Sequence, residues 1–171
     1  MEREAFGQGD AARGRRVVEQ VWLARGHPGH MGTMQQATTT FAVETPGRGL
    51  HEITPMIAEW IDAQGIIKGL LTLLCRHTSA SLCIQENAAR EVRGDVLRWL
   101  DRLAPENDGY AHDDEGPDDM PAHLKALLTG VTLSIPVLGG RMALGTWQGI
   151  YLVEHRRAAH RRQVVAHLLG E

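Results

Sequence analysis

The chain of 171 residues is long enough for one domain with a substantial core, and 43% hydrophobic with 23% charged residues is an ordinary globular composition. A formal net charge of −3 supplies no basic face for nucleic acid, and no run of about 18 apolar residues exists to form a membrane span. Cys75 and Cys83 match no zinc-ligand or redox spacing and no disulfide framework, so a reduced, cytoplasmic protein is expected.

Residues 1–33 read differently from the rest. GQGDAARGRR is rich in Gly and Arg, and ARGHPGHMGT is laden with breakers and runs into two alternative start methionines, Met31 and Met34. RRVVEQVWLA has the length of a short helix, and its apolar run is too brief for a signal-peptide core. The expectation is a flexible N-terminal extension over 1–33 and a single domain over 34–171.

TTTFAVETP alternates and is β-branched, so it predicts a strand, followed by a GRGL turn. Thr54 before Pro55 predicts a helix N-cap, with Ile57, Trp60 and Ile61 at helical spacing behind it. IKGLLTLLCRHTSASLCIQ predicts two strands with a bend at the serines; Leu71, Leu73, Cys75 and His77 share one face of the first. ENAAREVRGDVLRWLDRLAP predicts a helix capped near Asn87, with Val92, Val96, Trp99, Leu100 and Leu103 as its buried stripe. DMPAHLKALLTG predicts another, capped by Asp118 or Asp119 and ended by Gly130. VTLSIPV, RMALGTWQGIYLVEH and RRQVVAHLL predict three strands, the first two joined by a Gly-Gly turn. Helices that do not alternate with strands argue for an α+β fold with a mainly antiparallel sheet and about three helices.

Nine histidines are many for this length, and three stand at the ends of elements: His77, His123 and His155. Neutral imidazole is the commonest protein metal ligand, and three ligands with an open fourth position is the pattern of a catalytic zinc site. Singly, each reads as well as a core or surface histidine. HDDEGPDDMPAH, residues 112–123, places five carboxylates between two histidines. It is either a solvated acidic loop before a helix N-terminus, or a set of oxygen ligands and acid–base groups drawn together by the Gly116-Pro117 turn. Thr78, Ser79 and Ser81 are phosphate donors or a strand end. Asn87 is a cap or a ligand. Arg141, Arg156, Arg161 and Arg162 are the candidate anion clamps, and the glycines of GTWQG allow close approach of a ligand or a barrel-corner bend. No GxSxG elbow is present for serine nucleophile chemistry.

RHTSASLCIQENA, HDDEGPDDMPAHLK and GRMALGTWQGIYLVEHR, followed by a terminal LLGE, resemble the YjbQ-like family, also called the secondary thiamine-phosphate synthase family. The resemblance runs from about Gln35 to Glu171. It implies a compact α+β homotrimer with polar pockets near subunit boundaries, binding a divalent metal, usually zinc, at positions matching His77, His123 and His155. It further implies that Asn87, Glu115, Asp119, Arg141 and Gln148 serve catalysis or substrate, with His112 beside them. Asp114 stands where relatives often carry an aromatic residue, and Arg76 where Gln is common. The implied activity is a secondary one, joining a hydroxymethylpyrimidine diphosphate to a thiazole phosphate with loss of pyrophosphate. The expectation is therefore a metal-binding enzyme of small phosphorylated metabolites, with Mg2+ a second cofactor choice. The alternatives are a non-catalytic metal- or metabolite-binding trimer and a metal-dependent hydrolase.

Overall fold

The computed structural model describes residues 13–23 and 33–171. In chain order it contains β1 (Arg13–Leu23), β2 (Gln35–Thr45), β3 (Gly49–Glu52), α1 (Thr54–Asp62), β4 (Lys68–Cys75), β5 (Ala80–Glu86), α2 (Arg90–Leu103) and α3 (Asp119–Thr129). The C-terminal part adds β6 (Thr132–Leu138), β7 (Arg141–Met142), β8 (Gln148–Glu154) and β9 (His160–Gly170). The strands form a six-stranded sheet, β1-β2-β9-β4-β6-β7, and a three-stranded sheet, β3-β8-β5. Every pairing among the described residues is antiparallel, so the α+β class with three helices is borne out.

Alternation builds the core. Leu71, Leu73 and Cys75 of β4 and Val164, Ala166 and Leu168 of β9 point inward and are buried. Against them pack Ile57, Trp60 and Ile61 of α1 and Ile150 and Leu152 of β8. The ring of Trp60 meets Phe41 edge-on, 6.1 Å between centroids. β8 is covered on both faces, since Tyr151 and Val153 point the other way into a small cluster with Leu50, packed by Cys83 and by Val96 and Leu97 of α2. The three-stranded sheet is thus a middle layer.

Several local expectations need correction. Residues 15–23 of the RRVVEQVWLA segment are not a short helix; they lie in β1, paired along the edge of β2. β-branched valines suit a strand, and the backbone groups of a sheet edge recruit one. Residues 1–12 and 24–32 of the expected flexible extension lie outside the described residues. β3 was not foreseen. α1 begins at Thr54 with Ile53 as its N-cap, and the Thr54 hydroxyl instead accepts the Ile150 N–H at 2.7 Å, tying α1 to β8. α2 starts at Arg90, past Asn87, and only Leu100 of its expected stripe is fully buried; Trp99 and Leu103 are half exposed. The long RMALGTWQGIYLVEH strand is broken into β7 and β8. The Gly-Gly turn is as expected: Gly139 and Gly140 have φ of 60° and 76°, the mirror-image turn that suits a two-residue hairpin.

Candidate metal centre and adjoining cleft

The acidic segment folds back on itself at Gly116, whose N–H donates to Asp113 O at 3.0 Å. This aims Glu115, Asp118 and Asp119 at one cation, Arg156, which follows β8. The Arg156 guanidinium donates to Asp119 Oδ1, to Glu115 Oε2 at 3.3 Å and to the Glu115 carbonyl at 2.7 Å; Asp118 Oδ2 lies 3.3 Å from Nε. Asp118 is the residue preceding α3 but makes no cap bond with its side chain; it accepts the Arg157 N–H at 2.7 Å. Burial alone would raise the Asp118 pKa, yet that N–H and the Arg156 charge outweigh it and hold the carboxyl below its ordinary value. Asp113 and Asp114 remain exposed. The segment is therefore half solvated loop and half charge clasp.

Asp119 has a second oxygen to offer. Its Oδ2 sits 2.8 Å from His112 Nε2, and His123, one helical turn on, brings Nε2 to 3.6 Å from Oδ1. The two imidazoles lie 5.6 Å apart. One ligating atom from each of His112, Asp119 and His123 falls within 4.8 Å of the others, and this is the cluster of that kind among the described residues. His123 Nδ1 lies 3.0 Å from the carbonyl oxygen of Thr78. A carbonyl only accepts, so Nδ1 carries the proton and Nε2 presents its lone pair toward Asp119.

His77 and His155 are placed otherwise. His77 Nε2 accepts the backbone N–H of Gln163 at 2.8 Å. Burial, then the charge of Arg162, holds its pKa below the ordinary value. His77 and His123 line one cleft of about 670 Å³, with Arg76, Thr78, Leu74 and Val131 among its walls. His155 is buried, its Nε2 2.8 Å from Ser81 Oγ, which lies 2.6 Å from the Thr129 hydroxyl oxygen. Its Nδ1 has no partner among the described residues. Burial, reinforced by the nearby Lys125 charge, pushes its pKa down to about 4, so it is neutral. The structure thus brings His77 and His123 together in a cleft and leaves the buried His155 out of its lining.

Of the other expected site residues, Glu115 and Asp119 join the clasp. Asn87, Arg141 and Gln148 gather at the far end of β8. Asn87 is exposed, its backbone N–H bonded to Trp147 O at 3.0 Å; Gln148 Oε1 accepts the Gly145 N–H at 2.8 Å. Arg141 and Gln148 line a second cleft of about 500 Å³, with Thr54, Glu59 and Asp62. A seven-residue strand separates the two groups by about 20 Å within one chain. Among the candidate anion clamps, Arg156 and Arg162 are buried in ion pairs. Arg162 grips Glu154 through both oxygens, at 2.7 and 2.6 Å, and Arg161 pairs with Glu44 at the surface. Sequence reasoning missed the Arg156 clasp; the signal was an arginine just past a buried strand, paired with a run of carboxylates.

Fold and cluster together define a small antiparallel α+β protein with a histidine–carboxylate group beside an open cleft. The chain belongs to the family described as UPF0047 protein YjbQ-like, whose family model matches residues 39–171. It is 44% identical over 141 residues to a UPF0047 protein of Synechocystis sp., covering 81% of this chain and 95% of that one. It is also 44% identical to UPF0047 protein YjbQ of Escherichia coli O157:H7, over 77% of this chain and 96% of the relative. Among solved structures, a YbjQ-like protein of unknown function from Sulfolobus solfataricus superposes with a TM-score of 0.75 at 25% identity, over 81% of this chain and 99% of that one. A hypothetical protein from Aeropyrum pernix gives 0.72 at 31% identity, over 78% and 98%.

Proposed function

We propose that the protein is a metal-binding enzyme acting on small phosphorylated metabolites, with thiamine-phosphate synthase activity as one of its reactions. One observation carries this reading: His123 is locked by the Thr78 carbonyl in the tautomer that a metal ligand requires, and its free nitrogen faces Asp119 and His112. A second ring nitrogen tied to a backbone carbonyl is the usual support of a metal-bound histidine. Two imidazoles and a carboxylate suit zinc, so the donor set fits the metal that the family resemblance implies. A bound divalent ion would supply charge neutralisation to a departing pyrophosphate. The residues do the rest. Arg156 holds Asp119 in place, Thr78 orients His123, and the cleft that His123 lines is roomy enough for a small metabolite.

Three protein donors leave a coordination position for substrate or water, which favours catalysis over a closed, purely structural site. A hydrolase would use the same donors and differ in the nucleophile. The two free thiols suit a reduced cytoplasmic compartment. Assembly as a homotrimer is part of the proposal: Leu70, Leu74, Leu138 and Leu169 lie 40–62% exposed on the outer face of the six-stranded sheet, an apolar patch of the kind that subunit contacts cover. The test is zinc per chain in the purified protein and in His112→Ala and His123→Ala, followed by turnover of the two heterocyclic phosphates. Near-stoichiometric zinc, lost in both variants while mass and fold are kept, is the expected result. Zinc that survives both substitutions, or none in the parent, overturns the metal assignment.

A further inference from the structure

We infer that His77 is the cleft's fixed hydrogen-bond donor to an anionic oxygen of the bound ligand, and not one of its metal ligands. The identity of that ligand as a phosphate rests on the function proposed above; the donor role rests on geometry. A backbone N–H can only donate, so the bond from Gln163 N occupies the lone pair of His77 Nε2. A neutral imidazole has one N–H and one lone pair, which puts the proton on Nδ1. Ligation through Nε2 would require that backbone bond to break, and ligation through Nδ1 would require loss of its proton. His123 is the opposite case in the same cleft, with Nδ1 spent on a carbonyl and Nε2 free. One histidine therefore offers a lone pair to a cation, and the other an N–H to an anion.

The placement of His77 is rigid. Arg76 N donates to Gln163 O at 3.0 Å while Gln163 N donates to the His77 ring, so the imidazole continues the β4–β9 ladder where a backbone carbonyl would ordinarily stand. The preceding residue, Arg162, is fixed by its two bonds to the buried Glu154. The Arg76 side chain reaches Gln163 Oε1 at 3.3 Å and lines the same cleft. Among the described residues no carboxylate lines that cleft, whereas Leu74, Leu127 and Val131 do. The Nδ1–H has no partner among the described residues. A cation and two neutral donors (the His77 N–H and the Thr78 hydroxyl) beside an apolar wall select an oxyanion carried on an apolar body.

The experiment uses the zinc-loaded full chain with inorganic phosphate as probe, measured by calorimetry, together with zinc content and long-range 15N spectra of the ring nitrogens. His77→Ala is expected to keep its zinc and lose about tenfold in phosphate affinity, the scale of one hydrogen bond to a charged group. His77→Asn, which returns an N–H near the place of Nδ1, is expected to recover most of that loss. The parent's His77 should show a protonated Nδ1 with or without metal. Loss of zinc from a folded His77→Ala, unchanged phosphate affinity, no phosphate binding by the parent, or a protonated Nε2 each overturns the inference. A parent without zinc overturns the metal reading instead, and the phosphate and tautomer measurements on that protein still decide the role of His77.

Discussion

The buried His155 makes acid stability the sharpest quantity to measure. Its pKa falls from 6.5 to about 4 because the folded protein denies the imidazolium water, with Lys125 adding repulsion. At 1% exposure solvent screening does little to soften this. The unfolded chain therefore binds the proton more readily than the folded one. The stabilisation is complete above pH 6.5, declines as the pH falls, and is exhausted below about pH 4. Over that window the loss is roughly 3 kcal/mol, at about 1.4 kcal/mol per pH unit where the slope is fullest. The stability read by urea unfolding between pH 7.5 and 4.5 should fall more steeply in the parent than in His155→Gln, by this amount. The lowered pKa of His77 contributes in the same direction but is common to both proteins and cancels in the comparison. A His155 ring that titrates near 6.5 in the folded protein, or equal slopes in the two proteins, would refute the reasoning.

Arg156→Gln removes the cation that Asp118 and Asp119 share and should destabilise the fold by about 3–5 kcal/mol, the cost of orphaning one side of a buried pair; the urea midpoint reads it. Gly69→Ala would set a Cβ 2.4 Å from the Leu169 carbonyl oxygen, so the β4–β9 ladder must part, at about 1–3 kcal/mol or more, seen as a lowered Tm and faster amide exchange in β9. Leu152→Ala in the buried middle strand should cost about 2–5 kcal/mol, read as a lowered Tm.

The fold was legible wherever one face of an element was wet. β4 and β9 alternate cleanly because one side meets the core, and α1 announced itself by Ile57, Trp60 and Ile61. Legibility failed where periodicity and environment part. In α2 the spacing includes Trp99 and Leu103, yet the middle sheet meets Val96 and Leu97 and only Leu100 of the stripe is fully buried, leaving the other two half exposed. The site was legible in composition and not in partnership. His123 and Asp119 could be picked out because they stand four apart at the start of a helix. That Asp119 would be shared between Arg156 and His112 depends on β8 ending beside the 112–119 loop, a long-range fact that spacing does not carry. His77 and His155 share the residue type of His123, and only their neighbours, a backbone N–H and a serine hydroxyl, distinguish them.

β8 has one more consequence. A strand packed on both sides, with Ile150 and Leu152 against one layer and Tyr151 and Val153 against the other, cannot slide by one residue without driving a tyrosine into the main core. It therefore behaves as a gauge block: the polar groups at its two ends are free to vary in chemistry, but the interval between them is machined into the protein's interior. Any assembly of these chains inherits that interval as a fixed unit of length.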